Sequence, residues 1–214
     1  MGHAALAGCA GALSLNFLCS CGKKKTYPLG VCDWTLGGVG NPGALGTAKL
    51  AGLDGVQVSS AAPKPEGEFF TKAQIAEYKK AMAQTGMKIA STSPTCMNAN
   101  PFYSASGAVE FTCKAIDAAA ELGANCVLLP FYGPANMQNP DKTMNEKFFA
   151  PLVSRLKEAA AYAQKKGVMI SMENSVSAKD NLRIIEAVGS DWVNVYFDIC
   201  LLYTSPSPRD MRRS

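Results

Sequence analysis

The sequence predicts an α/β fold in which short strands alternate with longer helices to form a parallel sheet. Three observations support this prediction. Short apolar runs recur along the chain, helix signals lie between them, and a composition with 48% hydrophobic and 18% charged residues excludes a disordered chain. The predicted strands are largely apolar, as expected of parallel strands buried on both faces: Leu29–Asp33, Gly55–Ser59, Lys88–Thr92, Cys126–Phe131, Val168–Met172 and Val193–Asp198.

The segments between these strands carry the residues that begin and end helices. Thr71 and Gln74 form a capping-box pattern, and Gly86 follows the last turn of the helix they open. Apolar residues recur at helical spacing in two further segments, and a serine opens the last one. The predicted helices span 72–85, Ala108–Leu122, Leu152–Lys166 and 178–188.

Two parallel architectures compete for this pattern, an open doubly wound sheet and a closed (β/α)8 barrel. No G-x-x-x-x-G-K-[ST] motif occurs, which weakens the case for a nucleotide-binding open sheet. A barrel of this class typically needs about 250 residues. We therefore expect an incomplete (β/α)8 TIM barrel over residues 27–199, with about six of its eight strand–helix units present.

The N-terminal segment has the character of an export signal. Residues 1–20 contain no Lys, Arg, Asp or Glu and precede a run of three lysines. Leu18–Cys21 resembles a bacterial lipobox, in which cleavage leaves Cys21 as a lipidated first residue. We expect residues 1–21 to direct the protein to the periplasm or cell envelope, with a lipid anchor on Cys21. The alternative is an ordinary signal peptide with chance cysteines.

The C-terminal segment has no strand or helix period. Cys200–Asp210 reads CLLYTSPSPRD, which matches the translation of a sequencing-library adapter. We expect residues 200–214 to be a non-native tail and the barrel sequence to stop at Ile199. The alternative is a natural tail rich in Ser and Pro.

Two carboxylates follow apolar runs at the carboxyl ends of neighbouring predicted strands. Glu173 directly follows the predicted fifth strand and Asp198 ends the sixth, and active sites of parallel barrels lie at these ends. Two bare carboxylates repel each other and raise one pKa, whereas a bridging divalent cation relieves the repulsion. Oxygen ligands favour Mg²⁺, Mn²⁺ or a similar ion over a thiolate-type zinc site. The alternative is that one carboxylate caps a helix or pairs with a lysine.

Four segments, LGVCDWTL (29–36), GLDGVQVS (52–59), ISMENS (170–175) and VYFDI (195–199), resemble the xylose isomerase-like TIM barrels. This superfamily includes sugar phosphate isomerases and epimerases, ketose 3-epimerases, hydroxypyruvate isomerase and inosose dehydratase. The resemblance implies that Glu173 and Asp198 are metal ligands, completed by a His and a Glu from strands 7 and 8. It also implies that Glu173 is one of two acid/base carboxylates. The implied cofactor is Mn, Mg or Co, with Zn as the alternative.

The resemblance implies a sugar or sugar phosphate isomerase or epimerase that transfers a proton next to a carbonyl. Because Glu173 is present without the strand-8 Glu that would be its acid/base partner, we expect weak metal binding and no isomerase activity. Trp34 is a candidate for stacking on a sugar and Tyr132 for bonding a hydroxyl, although each also suits a rim or core position. Asp33 is a further substrate-binding candidate, and Asn174 is expected to support Glu173 or the substrate.

Other functions fit the sequence less well. A net charge of +4 is too mild to indicate nucleic acid, and one histidine, His3, argues against the endonuclease branch with its histidine-rich zinc site. A glycoside hydrolase needs two carboxylates flanking the glycosidic bond, whereas strand 4 ends in Pro-Phe-Tyr, without a carboxylate. A non-catalytic, envelope-anchored sugar-binding barrel remains the alternative.

Four scattered cysteines are expected to be buried free thiols: Cys32, Cys96, Cys113 and Cys126.

Overall fold

The structure, a computed structural model, describes residues 27–198. The predictions on the export signal, on Cys21 and on the tail after Ile199 therefore lie outside the described residues. No helix in the described range is both long and apolar enough to cross a membrane. All four cysteines of that range are free, as predicted, although only Cys96 is fully buried.

Six strands form one sheet in which every neighbouring pair is parallel and spatial order follows chain order. The strands are β1 (Gly30–Cys32), β2 (Gly55–Ser59), β3 (Lys88–Ser93), β4 (Cys126–Pro130), β5 (Met169–Glu173) and β6 (Val193–Val195). The helices are α1 (Ala44–Leu50), α2 (Lys72–Thr85), α3 (Ala108–Glu121), α4 (Phe149–Lys166) and α5 (Ala178–Val188). The predicted alternation is confirmed, and it places all six carboxyl ends along the same edge of the sheet.

The two faces of the sheet differ in chemistry because side chains alternate along a strand. One face is apolar and packs with helix side chains into the core, through residues such as Val58, Leu129 and Ile170. The other face carries polar side chains that bond across strands. Ser91 Oγ donates to Gln57 Oε1 at 2.8 Å, and Cys126 Sγ lies 3.3 Å from Ser171 Oγ. This polar face is the one that would line the interior of a barrel.

Helices α2 and α5 begin and end where the sequence indicated, whereas α4 begins at Phe149, before the predicted Leu152. The Thr71 hydroxyl accepts a hydrogen bond from Gln74 N at 3.1 Å, and the Gln74 side chain accepts one from Thr71 N at 2.9 Å. These two reciprocal bonds confirm the capping box. Gly86 follows α2 in the left-handed conformation, with a φ of 72°. At α5 the Ser177 hydroxyl accepts from the backbone N–H of Asp180 at 3.1 Å.

Several boundaries differ from the predictions by one to three residues, and one helix was not predicted. Strand β1 stops at Cys32, because Asp33 begins a 3-10 turn that runs to Leu36. Strand β6 stops at Val195 rather than Asp198, with one more ladder bond from Tyr196 N to Met172 O at 2.8 Å. Helix α1 was not predicted, because it is only seven residues long and has no side-chain cap.

Candidate functional site

Glu173 and Asp198 lie together at the carboxyl-terminal edge of the sheet. Glu173 is the last residue of β5, and Asp198 follows the end of β6, the neighbouring strand. Both side chains are half-buried. Burial, and then the negative charge of Asp198, raise the pKa of Glu173 to about 7. The structure therefore brings the two carboxylates close enough to interact electrostatically.

No positive charge among the described residues contributes to the pKa shifts around this pair. The pKa of Cys32 is raised to about 11, first by burial and then by Glu173, Asp33 and Asp198. Burial also raises the pKa of Tyr132 and of Tyr196, and the two carboxylates raise both further. None of the contributions to these shifts comes from a lysine, arginine or histidine of the described residues. The site is thus a buried acidic cluster, which favours a bound cation.

The Tyr132 hydroxyl is a buried donor close to the two carboxylates. Its backbone N–H donates to Asn98 Oδ1 at 2.9 Å, which ties the loop after β4 to the loop after β3. The hydroxyl itself is buried without a hydrogen-bond partner among the described residues. Such an unmade bond costs about 1–3 kcal/mol, so a polar group from outside the described chain is expected to complete it.

Trp34 lies at the rim of the site, in the 3-10 turn that follows β1. Its side chain is 45% exposed. An exposed aromatic face at the carboxyl end of a strand is available for stacking on the apolar face of a ligand. The structure thus places Trp34 where the predicted role needs it, and the role itself stays a prediction.

Asp33 is placed differently from its neighbour. Its side chain is fully buried, and its Oδ2 accepts from Gly40 N and from Ser59 N, both at 2.9 Å. Burial raises the pKa of this carboxyl, and the backbone hydrogen bonds from Ser59 and Gly40 oppose the rise. One of its oxygens is therefore committed to the backbone of its own loop and of β2.

Asn174 directs its amide toward helix α5. It exchanges two hydrogen bonds with the Asn181 amide, at 2.9 and 3.2 Å, and its Oδ1 also accepts from Val176 N at 3.1 Å. These bonds hold the turn that follows Glu173. A supporting role for Glu173 would therefore act through the backbone of this turn.

The described residues include two carboxylates that could form part of a metal site. No three His, Cys, Asp or Glu side chains within residues 27–198 cluster so that they could hold a metal ion. Glu173 and Asp198 offer two carboxylates, and burial, followed by the charge of Asp198, raises the pKa of Glu173, which a divalent cation would counteract. The pair fits the hard oxygen chemistry of Mg²⁺ or Mn²⁺ as half of a typical ligand set.

Two neighbours of the carboxylate pair were not predicted from the sequence. Cys32 ends β1 and interacts with both carboxylates, and Tyr196 follows β6 and interacts with them as well. The signal for Tyr196 was its position two residues before Asp198, since alternate residues of an extended segment lie on the same side. Cys32 carried no such signal, because its strand is distant from β5 in the sequence.

Two cavities lie at opposite ends of the strands. A groove of about 380 Å³ beside α5 and β6 is lined in part by Asn174, Tyr196 and Asp198. A larger cavity of about 870 Å³ lies at the amino-terminal ends, where glycines such as Gly30 and Gly55 line it. Active sites of parallel barrels lie at the carboxyl ends of the strands, and the smaller groove lies at that end. It therefore adjoins the candidate site.

The chain matches one protein family over most of its length. The sequence profile described as xylose isomerase-like TIM barrel matches residues 45–210. A comparison with curated proteins finds no match.

Solved structures match the fold at low sequence identity. A xylose isomerase-like TIM barrel protein from Mycobacterium smegmatis, in complex with magnesium, is 19% identical with a TM-score of 0.61, covering 87% of this chain and 70% of that one. D-allulose 3-epimerase from Methylomonas sp., in complex with D-allulose, is 18% identical with a TM-score of 0.58, covering 78% and 61%. D-psicose 3-epimerase from Clostridium cellulolyticum H10, with D-tagatose, is 17% identical with a TM-score of 0.60, covering 79% and 62%.

These matches identify the fold. The chain spans 61–70% of the length of these three structures. With the six parallel strands described above, the likeness shows an incomplete TIM barrel, as the sequence predicted.

Proposed function

Because the chain belongs to the xylose isomerase-like TIM barrel family, we propose that it represents a divalent-metal-dependent isomerase or epimerase of sugars or sugar phosphates. The observation that carries the proposal is the pair Glu173 and Asp198, coupled electrostatically at the carboxyl ends of β5 and β6. Similar structures include epimerases with bound D-allulose and D-tagatose and a barrel with bound magnesium, which supports a sugar ligand and a metal cofactor.

Each residue of the site has a distinct task in this proposal. A divalent cation held by Glu173 and Asp198 would supply positive charge that stabilises the oxygen atoms of a substrate carbonyl and its neighbouring hydroxyl. The ionised Glu173 carboxylate accepts the proton on the carbon next to the carbonyl. The Tyr132 hydroxyl, which has no hydrogen-bond partner among the described residues, donates a hydrogen bond to a substrate oxygen. Trp34 stacks on the sugar.

Inversion at carbon needs a second acid/base group on the opposite face of the substrate. Among the described residues Glu173 is the one carboxylate assigned to proton transfer, because Asp198 is assigned to the cation and Asp33 Oδ2 accepts backbone hydrogen bonds from Gly40 and Ser59. We therefore expect this chain to bind the metal weakly and to release no epimerised product.

A metal titration tests the proposal. Addition of Mn²⁺ should raise the melting temperature of the wild type, and Asp198→Asn and Glu173→Gln should each abolish most of that rise, because each removes one of the two charged ligands. Glu186→Gln, at an exposed position on α5, is the matched control and should respond like the wild type. An equal Mn²⁺ response in all four proteins would refute the metal site.

Incubation with a keto-sugar tests the expected inactivity. D-allulose should remain unconverted in the presence of Mn²⁺, as followed by chromatography. Conversion to an epimer would overturn the inactivity while supporting the reaction type.

A sugar-binding barrel without catalysis is the second candidate. The exposed Trp34 and the unpartnered Tyr132 hydroxyl favour ligand binding, and neither requires a metal ion. Sugar binding that is unaffected by EDTA would favour this candidate over the enzyme.

The proposed location is the periplasm or cell envelope, with a lipid on Cys21. The support is the uncharged segment 1–20 and the lipobox-like Leu18–Cys21. Labelled palmitate should be incorporated by the full chain in a bacterial host and lost in Cys21→Ala. Equal labelling of both proteins would contradict the anchor.

A further inference from the structure

We propose that Asp33 is a positioning residue that holds the Trp34 loop, residues 33–40, against the end of strand β2. The inference rests on the proposed function in one respect, since Trp34 is the sugar contact that the loop presents. Asp33 accepts four backbone hydrogen bonds. Its carbonyl oxygen accepts from Gly37 N and, at 3.3 Å, from Gly38 N, while its Oδ2 accepts from Gly40 N and Ser59 N at 2.9 Å each.

These four bonds close the Trp34 loop at both of its ends. The two carbonyl bonds complete the 3-10 turn that contains Trp34, and the bond to Gly40 N returns the chain to the start of the loop. The bond to Ser59 N belongs to another strand, so the same carboxylate joins the loop to the sheet. The Asp33 side chain therefore takes part both in closing the loop, through Gly40 N, and in joining the loop to the sheet, through Ser59 N.

The backbone of the loop fits this arrangement closely. Gly37 and Gly40 have φ values of 103° and 71°, which a residue with a side chain adopts only with strain. A Cβ on Gly40 would lie 3.3 Å from the carbonyl oxygen of Ser59. The loop therefore packs directly on the end of β2, where Gly40 permits the close approach.

The exposures of Asp33 and Trp34 distinguish a residue that positions the loop from one that contacts the ligand. Asp33 is fully buried, whereas Trp34, the next residue, is 45% exposed. Asp33 Oδ1 is also buried and has no hydrogen-bond partner among the described residues. A carboxylate placed in this way determines where Trp34 lies, and Trp34 meets the ligand.

Tryptophan fluorescence reports on this arrangement directly. The chain has two tryptophans, so Trp192→Phe leaves Trp34 as the single emitter. In that background, Asp33→Ala should shift the emission of Trp34 to longer wavelength and raise its acrylamide quenching constant about twofold, because the loop is released into solvent. Amide hydrogen exchange should increase at Gly40 and Ser59 while α4 stays protected.

Three further variants make the test specific. Asp33→Asn keeps an oxygen that can accept both N–H groups and should restore the emission and exchange of the parent. Gly40→Ala leaves Asp33 intact but pushes the loop away, and should reproduce the shift even where Asp33→Ala fails to fold. Asp141→Ala is the control, because this exposed aspartate bonds only to Thr143 in its own loop.

The outcomes decide the proposal. It is overturned if Asp33→Asn perturbs Trp34 as much as Asp33→Ala does, or if Gly40→Ala leaves the Trp34 signal unchanged. With D-allulose as the probe, Asp33→Ala should weaken quenching of Trp34 several-fold and Asp33→Asn should retain it. Loss of sugar quenching in Asp33→Asn, with the sugar-free signal intact, would instead make Asp33 a direct contact. Absence of quenching in the parent would count against the proposed function, while the sugar-free measurements still decide the role of Asp33.

Discussion

At the residue scale, burial and charge act in the same direction on Glu173. The carboxyl group is half-buried at the end of β5, and Asp198 lies beside it. Both effects disfavour ionisation, which is why the pKa rises to about 7. Placing an acidic side chain here lowers stability at neutral pH, and the proposed metal ion would relieve that cost. The pH dependence of stability therefore reports on this residue.

Glu173→Gln should remove a pH-dependent loss of stability. The pKa of Glu173 is raised in the folded state from 4.5 to about 7, so its favourable contribution is present below pH 4.5 and is lost as the pH rises through 7. Without metal, we expect the variant to match the wild type at pH 4.5 and to exceed its free energy of unfolding by about 3 kcal/mol at pH 8. Urea denaturation at the two pH values measures the difference. Glu186→Gln should show no such pH dependence, and an equal gain in it would contradict the assignment.

At the element scale, each helix is defined by the residues at its two ends. Helix α2 begins with a reciprocal capping box, and helix α5 begins with a serine cap. Left-handed glycines follow α2, α4 and α5, where they end the helix and turn the chain toward the next strand. These local signals set the lengths of the helices, and the helices in turn set the spacing of the strands that carry the site.

Thr71→Ala should weaken the start of α2. The change removes the hydroxyl that accepts from Gln74 N and leaves this backbone donor without its cap. We expect a loss of about 1 kcal/mol in the free energy of unfolding, measured by urea denaturation. The control is Thr47→Ala at an exposed position on α1, which should not destabilise the protein. Equal losses in the two variants would show that the capping box contributes nothing.

At the scale of the whole molecule, one apolar core joins the sheet to the helices. Helix α4 contacts α3, α5 and β5, and its buried residues belong to the same cluster as the apolar face of the strands. The core therefore holds β4, β5 and β6 in the register that places Glu173 beside Pro130 and brings Asp198 to the same edge. The site depends on packing that lies well away from it.

Leu156→Ala should destabilise the fold through its core. Leu156 is fully buried on α4, so the substitution leaves a cavity and is expected to cost about 2–5 kcal/mol. Leu182→Ala on α5 removes the same atoms from a side chain that is 58% exposed, and should change stability by less than about 0.5 kcal/mol. Chemical denaturation of both variants measures the contrast. Similar losses would indicate that α4 does not pack as described.

The sequence predicted the parallel α/β pattern and the two carboxylates because both depend on local signals. Capping residues, terminal glycines and short apolar runs act within one element, and the end of a strand can be read directly from the residues that follow it. The boundary of β1 could not be predicted in this way. Asp33 continues an extended run in the sequence, and only its bonds to Gly37, Gly38 and Gly40 turn the chain there.

By itself, the sequence determined the order of strands and helices, the resemblance to a barrel family, and Glu173 and Asp198 as the candidate acidic pair. Only the tertiary structure decided which side chains meet. It placed Cys32 and Tyr196 beside the carboxylates, left the Tyr132 hydroxyl buried without a hydrogen-bond partner among residues 27–198, and bonded Asp33 to the end of β2. The physical reason is distance along the chain. Parallel strands are neighbours only after a crossover helix, so contacts between their ends arise from packing and leave no local pattern in the sequence.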